Sequence, residues 1–458
     1  MQRLRPLMFV FPPFDFLDDE RIQTELLEGG VRDLLFAWGR LYDERSDESD
    51  ARLLLNLTSR GRFVDRFFAA SPRGRSVAPP FAATPDLYAG LGATPPELAP
   101  HLVDKAARLA TLIEQLSTRG FRVYYFGYIG AGPDGPATWT SDEARRVHLW
   151  DYVAARYRDF CLHYPSLAGF VTDGPGFGYE ITSGFQHGGQ LFAPLPTDQE
   201  HQDIASRLGV RLDQMQAASD RTQRLLQGLT PAQVDLFLDA EQGVFDAIDL
   251  LIEDPALLDL LRFKTAVVDQ QIGGHSRAIK AIDPRLEYGI CPRLPCFATI
   301  QGVNFRRLSQ LADFLQSKHY LWMHGFDGFR GTLDRYARTL GEWNPELDRA
   351  RIEALIFRLL GVQLPVDYGI ADFEGPAPKS FFDEIVYRES RKMLLRVGDP
   401  ARISPFIGQE HEGIWLSPQE LRHLFQAMVD AGLTRFTYYV LNTISDEVWD
   451  VLTEFTAD

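Results

Sequence analysis

Cysteine is scarce in this sequence, and its pattern excludes two structural classes. The 458 residues contain only Cys161, Cys291 and Cys296, an odd number without CxxC spacing. Such a set provides neither a disulfide framework nor a thiolate zinc site. A chain without disulfides is typical of a reducing compartment, so we expect a cytoplasmic protein.

Basic residues and long apolar runs are also limited. The chain has 47 basic against 63 acidic residues, a formal charge of -16. Binding to a nucleic-acid backbone needs clustered Lys and Arg, so we expect no nucleic-acid partner. No apolar run reaches the roughly 20 residues that span a bilayer, so we expect no membrane partner. The apolar run 7–11 is followed by prolines and has no small-residue cleavage site, so no signal peptide is predicted.

Several cofactor motifs are missing as well. No GxGxxG follows the first predicted strand, and GxxxxGK[ST] and HExxH do not occur. The usual dinucleotide, P-loop and zinc-protease signatures are therefore absent, and we expect no cofactor. Apolar residues make up 45% of the chain and aromatic residues 12%, which allows a sizeable core. Most aromatic side chains are expected in that core, and some are expected to stack on sugar rings.

Short apolar runs alternate with segments of helical period along most of the chain. Such alternation predicts an α/β fold with a parallel sheet. The predicted strands are 7–11, 31–38, 121–129, 169–172, 286–291, 319–324, 366–371, 403–407 and 436–441.

Nine strands are one too many for a closed barrel, which has eight. Segment 366–371 follows Leu364-Pro365 and is more polar than the others, so we exclude it. The prediction is a single (β/α)8 TIM barrel over residues 1–458. A doubly wound open sheet is the alternative, because alternation alone does not show closure.

Two segments interrupt the alternation. Residues 41–100 lose regular period and are rich in Arg, Ser, Pro and Gly, which predicts a long excursion after strand 2 that acts as a lid or decorates an edge. Residues 186–284 are mostly of helical period, with Thr230-Pro231 and Asp254-Pro255 as helix starts. We interpret them as a helical insertion after strand 4 that covers the mouth or mediates homo-oligomer formation. A helix is also predicted over 304–316.

The most informative stretch is 166–181, in which an apolar run changes abruptly to glycines, a proline and two carboxylates. Segment 169–172 resembles a buried parallel strand, and Gly174, Pro175 and Gly176 end it. This places Asp173 and Glu180 at the carboxyl end of strand 4, where barrels keep their catalytic groups. The alternative is that Asp173 only caps the turn.

Further polar and aromatic residues follow the other predicted strands. They are Trp38, Arg40, Tyr128, Arg293, His324, Asp327, Glu410, His411, Glu412 and Asn442, in addition to the two strand 4 carboxylates. Carboxylates with aromatic residues and histidines are typical of a glycosidase pocket. Glycosidic cleavage needs one acid to protonate the leaving oxygen and one carboxylate to attack or to activate water. We predict a carbohydrate or glycoside substrate. Of the residues named above, Asp173, Glu180 and Glu410 are the candidate catalytic acids, and all the others are expected to bind the substrate.

This arrangement resembles the clan of (β/α)8 glycoside hydrolases with catalytic glutamates after strands 4 and 7. The resemblance implies that Glu180 or Asp173 is the acid/base, and that Glu410, at the end of segment 403–410, is the nucleophile. Of the two strand 4 residues we favour Glu180. The clan's Asn-Glu pair at strand 4 is replaced here by Thr172-Asp173.

Two other functions fit the same residues. A metal-dependent barrel hydrolase or isomerase would use Asp173, His324, Glu410 and His411 as ligands, although no HxH spacing accompanies them. A barrel that binds carbohydrate without catalysis would need no acid pair.

Overall fold

The computed structural model describes residues 3–12, 14–37, 41–42, 61–63, 77–128, 137–174, 176–182, 189–240, 244–322, 328–408, 410–411 and 414–457. Within these ranges, a parallel sheet of nine strands forms the centre of the protein. The strands are Arg5–Val10 (β1), Asp33–Phe36 (β2), Arg122–Tyr128 (β3), Leu167–Asp173 (β4), Glu287–Cys291 (β5), Phe314–Leu315 (β6), Lys318–His319 (β7), Phe406–Gly408 (β8) and Arg435–Tyr439 (β9).

The strands lie in the order β6-β5-β4-β3-β2-β1-β9-β8-β7, and every pair is parallel. The two outermost strands, β6 and β7, are separated in sequence only by Gln316 and Ser317. The Gln316 amide donates to Ile290 O at 2.7 Å, and the Phe406 amide donates to Ser317 O at 2.8 Å. Segment 314–319 therefore bonds to β5 on one side and to β8 on the other.

Helices cover the outside of the sheet and follow most strands. They are Glu20–Glu28 (α1), Val103–Thr118 (α2), Asp142–His163 (α3), Gln199–Leu208 (α4), Leu212–Gln227 (α5), Pro231–Asp239 (α6), Val244–Glu253 (α7), Pro255–Lys280 (α8), Phe305–Leu311 (α9), Phe329–Trp343 (α10), Arg349–Leu360 (α11), Tyr387–Val397 (α12), Pro418–Asp430 (α13) and Asp446–Thr456 (α14). In the described part of the chain, no helix combines the length and apolarity needed to cross a membrane.

The predicted alternation is confirmed for most elements, and two boundaries were wrong. The helix predicted over 304–316 ends at Leu311, and Phe314–Leu315 is already strand. The strand predicted over 319–324 correspondingly lies earlier, at 314–319. Segment 366–371 contributes no strand to the sheet, since a 3-10 turn, Ile370–Asp372, is found there.

The two interrupting segments differ in structure. In the excursion 41–100, Leu41–Tyr42 pairs with Val77–Ala78, and Ala93–Thr94 pairs with Thr138–Trp139. The insertion 186–284 contains helices α4 to α8. Helix α8 packs against α3 and α9 as well as against α5, so its length connects the insertion with the helical layer around the sheet.

The strands alternate between two apolar environments. Phe9, Leu35 and Val171 belong to an interior cluster on the concave face of the sheet, whereas Met8 and Leu34 belong to a larger cluster between sheet and helices. Because side chains alternate along a strand, both faces must be apolar for both clusters to form. This explains why the strands read as continuous apolar runs.

Charged side chains fill the amino-terminal end of the sheet interior. The fully buried Asp33 carboxylate lies 2.8 Å from Arg122 Nε and 3.0 Å from Arg5 Nε. Arg122 also contacts Glu287 at 2.8 Å, and the guanidinium of Arg435 lies 4.9 Å from the Phe314 ring centroid. The buried Asp33 carboxylate thus balances arginine charge at this end of the sheet.

Candidate functional site

Asp173 and Lys318 meet at the carboxyl end of the sheet. Asp173 is the last residue of β4 and Lys318 the first of β7, and the Lys318 ammonium lies 2.7 Å from Asp173 Oδ1. The Lys318 side chain is 5% exposed and the Asp173 side chain 24% exposed. The ion pair therefore joins two non-adjacent strands and leaves part of the carboxylate open to solvent.

A buried polar layer supports the backbone that carries Lys318. The Gln316 side chain accepts from Cys291 Sγ at 3.1 Å and donates to Thr437 Oγ1 at 2.5 Å. Thr437 Oγ1 also lies 3.1 Å from Ser404 Oγ. Because Cys291 belongs to β5 and Thr437 to β9, the Gln316 side chain is held between two strands on opposite sides of its own segment. Lys318 follows two residues later on the same face of the strand.

Aromatic rings form a cluster around the segment that follows Lys318. Tyr320 and Trp322 stack with ring centroids 4.1 Å apart, and Tyr439 lies 5.9 Å from Tyr320. Phe11 completes the group, 5.7 Å from Tyr439. Tyr320 and Trp322 are buried, and Tyr439 is only partly buried.

Glu180 belongs to the loop that follows β4, and its side chain is directed into the protein. Its side chain is fully buried, and its Oε1 accepts from Arg335 Nε at 3.1 Å and Nη2 at 2.5 Å. The Glu180 amide donates to Gly189 O at 3.1 Å. Gly178 permits this close approach, because a Cβ at that position would overlap the backbone of Gly189. The geometry gives Glu180 a role in holding the loop to α10.

Tyr336 adds to the buried polar environment of Glu180. Its hydroxyl donates to Tyr179 O, and burial together with the Glu180 charge raises the Tyr336 pKa well above its usual value. The phenol therefore stays protonated and neutral beside the carboxylate.

Asn442 and Arg293 also make intramolecular contacts. The buried Asn442 side chain accepts from the Phe11 amide at 2.9 Å and donates to Phe11 O at 3.1 Å. It thus joins the ends of β9 and β1. Arg293 is half-buried with its guanidinium 5.5 Å from the Tyr179 ring centroid, and its carbonyl accepts from Ser317 Oγ at 3.2 Å.

The backbone alone places three further predicted residues. Tyr128 is the register partner of Asp173 on the neighbouring strand β3. Glu410–His411 directly follows β8 and pairs in antiparallel fashion with Ile414–Trp415. The remaining predicted residues lie outside the described ranges; they are Trp38, Arg40, His324, Asp327 and Glu412.

Lys318 was missed in the sequence because the sixth strand was predicted to begin at 319. The signal was weak, because the polar run from Gln316 to His319 separates the apolar residues on either side and no period-2 alternation crosses it.

His319 lies next to Lys318 and is buried. Its Nδ1 lies 3.1 Å from Ser317 O, and burial lowers its pKa to about 4. The imidazole is therefore neutral at physiological pH. Among the described side chains, no group of three or more His, Cys, Asp or Glu is arranged to hold a metal ion.

Comparisons with known proteins add only a general likeness. No family model and no curated protein matches the chain. Solved structures that match include a β-galactosidase from Halorubrum lacusprofundi, at 13% identity and TM-score 0.45 over 99% of this chain. They also include the PgaB glycoside hydrolase domain from Bordetella bronchiseptica (9%, TM-score 0.48, 99% of both chains) and the β-amylase catalytic domain from Paenibacillus polymyxa (10%, TM-score 0.44, 100% of this chain and 99% of that one).

The match with the β-galactosidase spans only 57% of that enzyme's length. All three proteins are named as glycoside hydrolases or as enzymes that act on glycosides. At these identities and TM-scores, the likeness does not determine the activity or the catalytic residues of this chain.

Proposed function

We propose that the sheet closes into a (β/α)8 barrel and that its carboxyl end is an active site. The support for closure is segment 314–319, which bonds to both β5 and β8 and so leaves no free edge between them. The support for the location is the ion network around the fully buried Asp33, which occupies the opposite end of the sheet. In barrel enzymes, the catalytic residues lie at the carboxyl ends of the strands.

The proposed reaction is hydrolysis of a glycosidic bond by Asp173 and Glu410. The observation that carries this proposal is the Asp173–Lys318 pair, a partly exposed carboxylate held against a buried ammonium at the strand ends. Glu410 follows β8, the strand next to the Lys318 segment. The second carboxylate would therefore enter the same mouth from another side, as the reaction requires.

The ion pair suggests how the two acids divide the work. The Lys318 ammonium, 2.7 Å from Asp173 Oδ1, fixes the position of that carboxylate at the strand ends. Asp173 would then attack the anomeric carbon or activate water, and Glu410 would protonate the leaving oxygen. This reverses the roles that the family resemblance implies. Glu180 would serve as a structural residue, because its carboxylate is fully buried and accepts two hydrogen bonds from Arg335.

The pair also bears on the metal-dependent alternative. Lys318 Nζ lies 2.7 Å from Asp173 Oδ1. Its positive charge is therefore next to the oxygen with which Asp173 would bind a metal ion. This favours metal-free chemistry at Asp173. Trp38, Arg40, Tyr128, Arg293, His324, Asp327, His411 and Glu412 remain proposed substrate-binding residues.

A panel of aryl glycosides tests the proposal. We expect turnover of at least one glycoside by the wild type, and a loss of about a hundredfold or more in kcat for Asp173→Asn and for Glu410→Gln. Glu114→Gln, an exposed acid on α2, is the matched control and should keep full activity. Thermal unfolding of each variant separates lost chemistry from lost folding.

Two other outcomes would support the competing functions. Stoichiometric metal in the purified protein, lost together with activity on chelation, would establish the metal-dependent alternative. Saturable sugar binding in calorimetry without turnover of any glycoside would establish a non-catalytic barrel.

A further inference from the structure

An arginine-lined groove lies between the start of α9 and the end of α12. It consists of two adjoining hollows of about 500 and 560 Å³, both lined by Arg306, Leu395 and Arg396. Arg402 lines the second hollow, and no Asp or Glu lines either of them within the described part of the chain. Leu395 is 85% exposed. The groove thus combines positive charge with an uncovered apolar side chain.

Only part of this charge has an internal role. Arg402 donates to Asp313 O at 3.0 Å and to Ala312 O at 2.6 Å, so its guanidinium is used to hold the end of α9. Arg306 and Arg396, by contrast, form no ion pair with any residue in the described ranges, and the Arg396 guanidinium lies 6.0 Å from the Phe305 ring centroid. In a chain with 63 acidic and 47 basic residues, this concave surface thus presents two arginines without a counter-charge from the described residues.

Helix α7 exposes a face of the opposite character. Ile248 is 42% and Ile252 67% exposed, and Asp249 and Glu253 are exposed beside them. Positions four apart lie on one side of a helix, so two isoleucines and two carboxylates share this face. No ion pair joins Asp249 or Glu253 to Arg306 or Arg396 within the described part of one chain.

We propose that the acidic face of α7 in one copy of this protein docks into the arginine groove of a second copy. Asp249 and Glu253 would pair with Arg306 and Arg396, while Ile248 and Ile252 would cover Leu395. Charge complementarity selects this occupant, and the apolar side chains supply burial. Because the two surfaces differ, the contact is head-to-tail and leads to a ring or an open chain of copies. The proposal is independent of the hydrolase activity.

Sedimentation velocity over a concentration series tests the contact. We expect the wild type to associate at low ionic strength and to dissociate at roughly 0.5 M salt, where the screening length falls to about 4 Å. Arg306→Glu with Arg396→Glu should sediment as a monomer, and so should Asp249→Lys with Glu253→Lys. Arg145→Glu, an exposed residue on α3, is the matched control and should associate like the wild type.

Mixing the two charge-reversed variants gives the decisive result. Each variant alone should be monomeric. In the mixture, the unchanged acidic face of the arginine variant can contact the unchanged arginine groove of the α7 variant, so association should return. A wild type that stays monomeric at low ionic strength would overturn the proposal. Loss of association in the arginine variant alone would overturn it too, since the groove would then bind another surface.

Discussion

The ammonium of Lys318 lies 2.7 Å from the carboxylate of Asp173 and connects β7 with β4 at the carboxyl end of the sheet. The lysine is almost completely buried, whereas the carboxylate keeps a solvent-facing side. An ion pair in which one partner remains accessible to solvent can stabilise the fold, and the accessible partner can still contact a substrate.

Replacing Lys318 by Met should remove the activity and moderately destabilise the protein. The variant leaves Asp173 without its cation, and breaking a buried pair costs about 3 to 5 kcal/mol, which the partial exposure of Asp173 reduces to roughly 1 to 3 kcal/mol. We expect kcat to fall by about a hundredfold, as for Asp173→Asn. Lys318→Arg keeps the charge and should recover part of the activity. Steady-state kinetics and urea unfolding check both effects; unchanged kcat in Lys318→Met would contradict the assigned role.

Glu180 and Arg335 should behave as a structural pair. Glu180→Gln leaves the buried Arg335 guanidinium without its counter-charge, so we expect the free energy of unfolding to fall by about 3 to 5 kcal/mol. Arg335→Met should cost a similar amount, and the double variant less than the sum of the two. A double-mutant cycle by urea unfolding measures the coupling. Full stability of Glu180→Gln with loss of glycosidase activity would instead make Glu180 catalytic.

Asn442→Ala should weaken the junction between β9 and β1. It removes two hydrogen bonds to Phe11 and leaves that residue's amide and carbonyl without these partners, which costs about 2 to 4 kcal/mol. Asn442→Asp preserves the acceptor but not the donor, so an intermediate loss is expected. Thermal unfolding provides the comparison. If Asn442→Ala altered the KM for a glycoside without changing stability, the substrate-binding role predicted from the sequence would be supported instead.

Stability should fall as the pH is lowered from about 6.5 to about 4. Burial lowers the pKa of His275 and of His319 from 6.5 to about 4. Across this range the unfolded chain binds protons that the folded chain does not, so lower pH favours unfolding. Each histidine contributes up to about 3 kcal/mol.

Urea unfolding of the wild type and of His275→Asn at pH 7 and pH 4.5 measures this dependence. The variant should show a smaller difference between the two pH values, whatever its stability at neutral pH. Equal differences would show that His275 takes up its proton as readily in the folded protein as in the unfolded chain.

Residue order alone was enough to predict most of the elements. The apolar runs predicted as strands correspond to Arg5–Val10, Arg122–Tyr128 and Arg435–Tyr439, because apolar side chains are packed on both faces of the sheet. A local start signal likewise accompanies α3, where the Ser141 side chain accepts from the Ala144 amide. Local pattern suffices where both faces of an element are buried in the same way.

The site depended on contacts that local pattern does not contain. Asp173 and Glu180 are seven residues apart, and in the sequence both are acids that follow strand 4. In the structure, the partly exposed Asp173 pairs with Lys318, whereas the fully buried Glu180 pairs with Arg335. Their partners are more than a hundred residues away in sequence, so only the packing of β7 and α10 around the strand 4 loop separates their roles. The sequence by itself determined the alternation of strands and helices and the position of the acids. The tertiary structure decided which acid is held open and which is buried, because burial and charge pairing arise only when distant segments meet.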